Sequence, residues 1–499
     1  MNGTTDIKKI PDALLPRLSE YLTSKTGFLF AKKHWNELHP KITAAMKEFD
    51  FENVGEFIEW LLSSSPTQKQ IEILASHLTV GETYFFREKR AFEILEQSML
   101  PGLIDDRRKT GKRLRFWSAG CSTGEEPYSI AILLEKLIPD LKDWNITILA
   151  TDINTVALRK ANEGIYSDWS FRDTLPFFKD KYFKRINENH CRLLPDIRKM
   201  VTFSYLNLSE DVYPALQNNT NAMDVIFCRN VLMYFAPGYV KLASERFYRS
   251  LVDGGWLIVS PVETSHIHYA QFTTVRIQDS TFYTKDVRKT KPEIVSSKYI
   301  KKEITAYSLP FQKVKPSKSI KPSHSVPFDV PVKPTQSAQA TLEEAAVLYR
   351  KGFYKEAENK LRAMISNDPI NQGMMVLFMK ILANQGKLEE ALQWCEKAIT
   401  AEKFDPYLHY MHAIILEEQN KSEEAKASLK KALYLDPDFV LAHFSLANLS
   451  LRSGNIIEAR KHFSNTAEIL SKCKPDEILP ESEGITAGRL SEMICAVCI

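Results

Sequence analysis

One dipeptide returns four times at one interval: Glu356-Ala357, Glu390-Ala391, Glu424-Ala425 and Glu458-Ala459, each 34 residues after the last. A strict period of that length requires stacked copies of one small unit, because each copy can bury its apolar face only against its neighbours. Before each pair stands a residue suited to a tight turn: Gly352, Gly386, Asn420 and Gly454. Asp368-Pro369 and Asp436-Pro437 fall where the second helix of a unit has to stop, since proline disfavours helical backbone in the residue before it. The pattern predicts about four helical hairpins over residues 341–473. A tail, 474–499, is expected to include a cap helix near 487–496.

Ahead of the repeats the composition changes. Residues 289–340 hold seven prolines, ten lysines, three acids and no glycine, so they cannot build a core and read as a disordered Pro/Lys-rich linker with a net charge of +7. The whole chain carries only +4, which leaves the folded parts slightly acidic and argues against nucleic acid as a partner. Overall usage, 44% hydrophobic and 26% charged, is that of globular domains. No apolar run is long enough to span a bilayer and the first residues carry no secretory pattern, so the expectation is a cytoplasmic protein without membrane insertion. The seven cysteines are scattered, as in a reducing compartment. Cys495 and Cys498 form a lone CxxC without a second ligand pair, so no metal site is expected there or elsewhere.

Residues 1–111 read as helical, with apolar spacing at 13–22, 57–61 and 71–78. Residues 112–288 alternate. Strands are expected at 114–117, 146–150, 225–228 and 256–260, with helices at 127–137, 155–162 and 238–251. That alternation predicts an α/β, doubly wound sheet.

The first strand runs into Ser118-Ala119-Gly120-Cys121-Ser122-Thr123-Gly124-Glu125 and then a helix, the nucleotide-approach position of such sheets. The spacing is not Gly-x-Gly-x-x-Gly, and two carboxylates, Glu125 and Glu126, close the loop. They would repel a pyrophosphate and suit a ligand with an ammonium and a sulfonium, which points to S-adenosyl-L-methionine. Asp152, at the end of the second strand, can accept hydrogen bonds from both ribose hydroxyls; the alternative is a cap for the helix starting near Thr155.

Four segments in order, Thr83 to Glu88, Ser122 to Ser129, Ala150 to Asn154 and Phe227 to Phe235, resemble the CheR-type chemotaxis receptor methyltransferases over about residues 10–287. The 34-residue period resembles the tetratricopeptide repeat. The first resemblance implies a class I methyltransferase domain over 112–288, with a small β-subdomain near 182–206, that moves methyl from S-adenosylmethionine to glutamate side chains of chemoreceptor cytoplasmic domains. Carried over by position, Thr83 and Arg87 hold the amino acid end of the cofactor, Glu125 its ammonium, Asp152 the ribose, and Asn207-Leu208 the adenine side. Arg229-Asn230 line the cleft beside Gly120, and Tyr234 sits by the sulfonium; Arg87 and Tyr234 are the catalytic candidates. Gly81 stands where the family has an asparagine. Phe85 and Phe86 read as core, and Tyr234 has the alternative of capping the core through its hydroxyl.

A substrate glutamate, with an ordinary pKa near 4.3, is already ionised at neutral pH, so the site needs orientation and desolvation and no general base. The basic stretch Lys33 to Lys47 offers Lys33, Lys41 and Lys47 without arginine, and Ile186-Asn187-Glu188-Asn189 replaces a glycine-rich turn that grips a receptor pentapeptide in some relatives. The repeats are expected to bind a protein or peptide in their groove and to be tethered through the linker. The alternatives are a cofactor-binding repeat scaffold with little or no catalysis, and a methyltransferase of some other protein.

Overall fold

The computed structural model describes residues 10–64, 66–174, 176–286, 336–365, 372–475, 477–482 and 485–497. All but the last few residues of the expected linker, and Cys498 of the CxxC pair, lie outside them.

Among the described residues ten strands form two sheets. Those of the large one are β1 (Arg113–Ala119), β2 (Asn145–Asp152), β6 (Val201–Tyr205), β7 (Met223–Phe227), β8 (Leu251–Ile258), β9 (Thr273–Ile277) and β10 (Ser280–Thr284). Their order is β6-β2-β1-β7-β8-β10-β9. The first five are parallel; β10 and β9 add an antiparallel hairpin, so the sheet is mixed. Central β1 is apolar from Phe116 to Trp117 and buried along nearly its whole length, as a strand covered on both faces must be. Helices Glu125–Leu137 and Pro237–Ser250 cover opposite faces: Ile130 to Leu134 join one core, Val240, Ala243 and Phe247 the other.

The small sheet departs from the sequence reading. β4 (Phe183–Arg185) and β5 (His190–Leu193) lie within 182–206, but the third strand is β3 (Ile165–Ser167), and Val201–Tyr205 belongs to the edge of the large sheet. Alternating strand patterns give no sign of which sheet a strand joins. Helices Leu15–Thr26, Trp35–Lys47, Val54–Ser63 and Gln68–Leu78 make the amino-terminal domain around Leu18, Leu22, Leu38, Ile42, Phe57 and Leu61. Pro40 stands inside the second of these without ending it.

The repeats fold as four hairpins: Gln336–Arg350 with Tyr354–Ile365, Gln372–Asn384 with Leu388–Ala401, Pro406–Glu418 with Ser422–Leu435, and Val440–Arg452 with Ile456–Leu470. Helix therefore begins five residues inside the expected linker. Ala357, Ala391, Ala425 and Ala459 are all buried, which explains the recurring alanine as the point where two helices come closest. Gly352, Gly386, Asn420 and Gly454 have φ of +78°, +74°, +60° and +79°, the left-handed turn that ends the first helix of each hairpin. The helix Ala487–Val497 follows and packs against Gln68–Leu78.

The repeats are not a free appendage. Their turn edge seats on the amino ends of the parallel strands. Glu418 Oε2 lies 2.8 Å from Arg113 Nη2 and 3.8 Å from Arg115 Nη1, and Glu418 Oε1 accepts from Asn221 Nδ2 at 2.9 Å. The Glu418 carbonyl accepts from Asn145 Nδ2 at 2.7 Å. Beside them the Tyr354 hydroxyl donates to the Arg249 carbonyl at 2.8 Å, and buried Lys285 lies over the rings of Tyr248 and Tyr354 at 4.9 and 4.8 Å. A Cβ on Gly352 would meet Arg249 Cγ at 2.6 Å, so this turn needs glycine for contact as well as for its backbone.

Candidate active site

At the opposite, carboxyl ends of the strands the chain turns sharply. After β1, Gly120, Ser122 and Gly124 all have positive φ, and the amides of Gly120 and Cys121 donate to the Thr151 carbonyl at 2.7 and 3.0 Å, strapping the loop to β2. A Cβ on Gly120 would come 2.4 Å from Val231 Cγ2, so only glycine lets the two loops touch. Asp152 then receives the loop: its Oδ2 accepts from Ser122 N and its Oδ1 from Asn154 N, both at 2.8 Å. Burial pushes its carboxyl up, and the amide donors oppose the rise. The helix Thr155–Glu163 is capped by Asn154, whose Oδ1 accepts from Ala157 N, so Asp152 is not that helix's cap. Each Asp152 oxygen keeps a further lone pair for a ligand hydroxyl.

The two loop carboxylates have separate fates. Glu125 lies beneath the loop and outside the cavity lining, accepting from Thr123 Oγ1 at 2.7 Å and Ser170 Oγ at 2.9 Å; burial raises its pKa. Glu126 lines the cavity instead, where it accepts from Ser118 Oγ at 2.8 Å and pairs with Arg229 Nη1 at 3.2 Å. Burial raises its pKa too, with Arg229 opposing. Neighbouring residues at the start of one helix point to different sides, and the sequence alone does not say which faces the ligand.

Buried Arg229 also reaches back to the segment before the sheet: its Nη2 donates to the Arg87 carbonyl at 2.6 Å and to Glu88 Oε2 at 2.9 Å. Its Nε is buried with no acceptor. Phe86 and Glu88 have positive φ on either side of Arg87, whose Nη1 donates to the Glu82 carbonyl. Gly81 leaves room for a Cβ, 3.4 Å from Ser122 Oγ, and its carbonyl accepts from that hydroxyl at 3.3 Å. Phe85 is core, stacked on Phe171 at 5.2 Å.

A third wall joins the amino-terminal domain to the sheet. Asn207 is buried; its Nδ2 donates to the Lys25 carbonyl at 2.8 Å and its Oδ1 accepts from Ser209 N at 3.0 Å. Leu29 N donates to the Tyr234 carbonyl at 2.7 Å. The cavity between these walls measures about 440 Å³, within the usual range for a small-molecule site. It brings together Gly81, Thr83, Arg87, Gly120, Asp152, Asn207, Leu208, Arg229, Asn230 and Tyr234, every sequence-proposed site residue except Glu125. Tyr234 stands exposed at the rim and does not cap the core. Sequence reasoning missed Glu126 as the facing acid and also missed Phe28 to Ala31, His34 and Glu37, which line the cavity from the amino-terminal domain. Lys33 and Lys41 line it too, so the basic stretch borders the cleft.

The donor set fits S-adenosylmethionine. The unfilled Arg229 Nε offers a donor to a carboxylate, Glu126 faces a cation, Asp152 retains acceptors for hydroxyls, and Leu206, Leu208 and Ile153 give an apolar surface. No group of His, Cys, Asp and Glu able to hold a metal ion occurs among the described residues.

Residues 81–280 match the family model "CheR methyltransferase, SAM binding domain", and residues 342–406 and 406–439 match tetratricopeptide repeat models. The chain is 33% identical over 276 residues to Chemotaxis protein methyltransferase 2 of Vibrio cholerae, covering 55% of this chain and 94% of that protein. It is 31% identical over 252 residues to the Chemotaxis protein methyltransferase of Borreliella burgdorferi, covering 50% and 87%. Over a longer stretch, 83% of this chain and 89% of the relative, it is 26% identical to the Probable biofilm formation methyltransferase WspC of Pseudomonas aeruginosa.

Proposed function

The chain belongs to the CheR family of S-adenosylmethionine-dependent protein-glutamate O-methyltransferases, and from that premise we propose that it esterifies glutamate side chains of a chemoreceptor cytoplasmic domain while its repeats recruit a protein partner. One observation carries the reading: a single cavity is lined by Glu126, Asp152, Arg87, Arg229 and Tyr234 around a glycine loop whose facing acid, Glu126, disfavours a pyrophosphate. Bound S-adenosylmethionine supplies a methyl group activated by its sulfonium. Glu126 and Arg229 hold the amino acid end, Thr83 flanks it, and Asp152 takes the ribose. Asn207 and Leu208 border the adenine. Arg87 and Tyr234 orient the incoming carboxylate and shield it from water; a loose hold serves better than a tight clamp, which would stabilise the ground state.

Relatives that align across both the catalytic and the repeat regions bear the biofilm name. That favours a receptor of a biofilm-forming system over one of chemotaxis. For recruitment, the edge of the solenoid opposite the docked one displays Phe404 and Tyr434, 85% and 87% exposed. The experiment is incubation with methyl-labelled S-adenosylmethionine and receptor cytoplasmic fragments of both kinds. Base-labile label on one kind, lost in Asp152→Ala, is the expected result; cofactor binding with no transfer to either would favour the scaffold reading. A Phe404→Ser/Tyr434→Ser variant is expected to methylate isolated fragments normally and to fail in cells.

A further inference from the structure

Glu263 belongs to the short helical turn Pro261–Glu263 just beyond β8, is 8% exposed, and does not itself line the cavity. Its carboxylate nonetheless gathers the loop that follows β7. Oε2 accepts from Asn230 N at 2.7 Å, and Oε1 accepts from Val231 N at 2.8 Å and Met233 N at 3.1 Å. Oε2 also closes its own turn by accepting from Ser260 N at 3.1 Å and Ser260 Oγ at 2.6 Å. Three amides of one short loop, those of Asn230, Val231 and Met233, thus converge on one carboxylate.

The loop needs that anchor. Asn230 has φ of +59°, the left-handed region, which asparagine tolerates better than most residues but which the Glu263 contacts help to fix. Val231 is pressed onto Gly120, and Asn230, Met233 and Tyr234 all line the cavity. We infer that Glu263 is the positioning residue of the methyltransferase site: its carboxylate sets the Asn230–Tyr234 loop in the shape that presents Asn230 to the cofactor and Tyr234 to the substrate. The inference rests on the cofactor reading above for what the loop presents, and on geometry alone for how it is held.

Charge and length both matter. In Glu263→Gln one end of the side chain becomes an NH₂ group, and whichever way the amide turns it faces backbone donors that it cannot accept. Glu263→Asp keeps two acceptors on a shorter arm. In the full chain, calorimetry with S-adenosylhomocysteine is expected to give a Kd about tenfold higher for Glu263→Gln, with most of the loss restored in Glu263→Asp. KM for S-adenosylmethionine is expected to rise and kcat to fall. Hydrogen exchange of the 229–234 amides is expected to quicken in Glu263→Gln while the β1 amides stay protected. A melting temperature that drops while Kd and KM stay within twofold of the parent would make Glu263 a stability residue only and overturn the inference, as would unchanged exchange in the loop. If the parent itself does not bind S-adenosylhomocysteine the cofactor reading fails, and the exchange measurement still decides whether Glu263 holds the loop.

Discussion

The same parallel strands end in two opposite ways. At their carboxyl ends they break into left-handed turns around a cavity, and Arg229, buried beside it, keeps one donor without an acceptor. At their amino ends Arg115 is as firmly enclosed and Arg113 is half-buried beside it, but Glu418 and the Asn219 and Asn221 carbonyls answer them. Burial lowers the Arg115 pKa to about 10, with Glu418 opposing, so it remains charged at neutral pH. Buried charge marks a ligand site in one place and a domain joint in the other, and what tells them apart is whether the protein itself completes the set of partners.

The contrast breaks most sharply at Glu418. Glu418→Ala removes the carboxylate that Arg113 and Arg115 share and is expected to cost about 3–5 kcal/mol in chemical denaturation, while leaving S-adenosylhomocysteine affinity within about twofold. Equal damage to both would mean that the two edges are one unit. Asp152→Ala is expected to do the reverse, weakening cofactor binding about 100-fold in calorimetry through two lost charge-assisted hydrogen bonds and leaving the repeats' unfolding transition in place. Tyr354→Phe removes one hydrogen bond from the joint, and a loss of about 1 kcal/mol in the same denaturation experiment is expected. The smallest effect is one of pH. His443 Nε2 lies 2.9 Å from the Pro437 carbonyl, and the two Nδ1 atoms of His443 and His462 are 2.8 Å apart. Burial, and for His462 also its partner, lowers both pKa values, that of His462 to about 4. The unfolded chain therefore binds more protons between about pH 4 and 6.5, so stability is full above 6.5 and falls as pH drops below it. Circular dichroism melts are expected to show the repeats loosening first under mild acid, and His462→Phe to flatten that dependence.

Periodicity made the repeats legible, because a 34-residue spacing of buried alanines and left-handed turns is written in residue types that have few other uses. The glycine loop and Asp152 were legible for the same reason. Glu125 and Glu126 were not separable, since adjacent positions differ only in which way a helix turns them. The docked joint was invisible: Arg113 and Arg115 read as ordinary polar positions of a short strand, and their partner is about 300 residues away. A proline- and lysine-rich stretch suggested a tether with reach, and composition says nothing about what its two ends are fastened to.

The folded parts on either side of that stretch are fastened to each other. Lys285, four residues before the stretch, lies on the ring of Tyr354, and the carbonyl of Arg350, at the end of the first repeat helix, accepts from Arg249 Nη1 at 3.0 Å. The joint between the two parts is thus made by their own side chains and does not depend on the covalent connection. Two separate polypeptides, one ending at 286 and one beginning near 336, are therefore expected to associate in trans through Glu418, Tyr354 and the two arginines of β1, which co-purification checks.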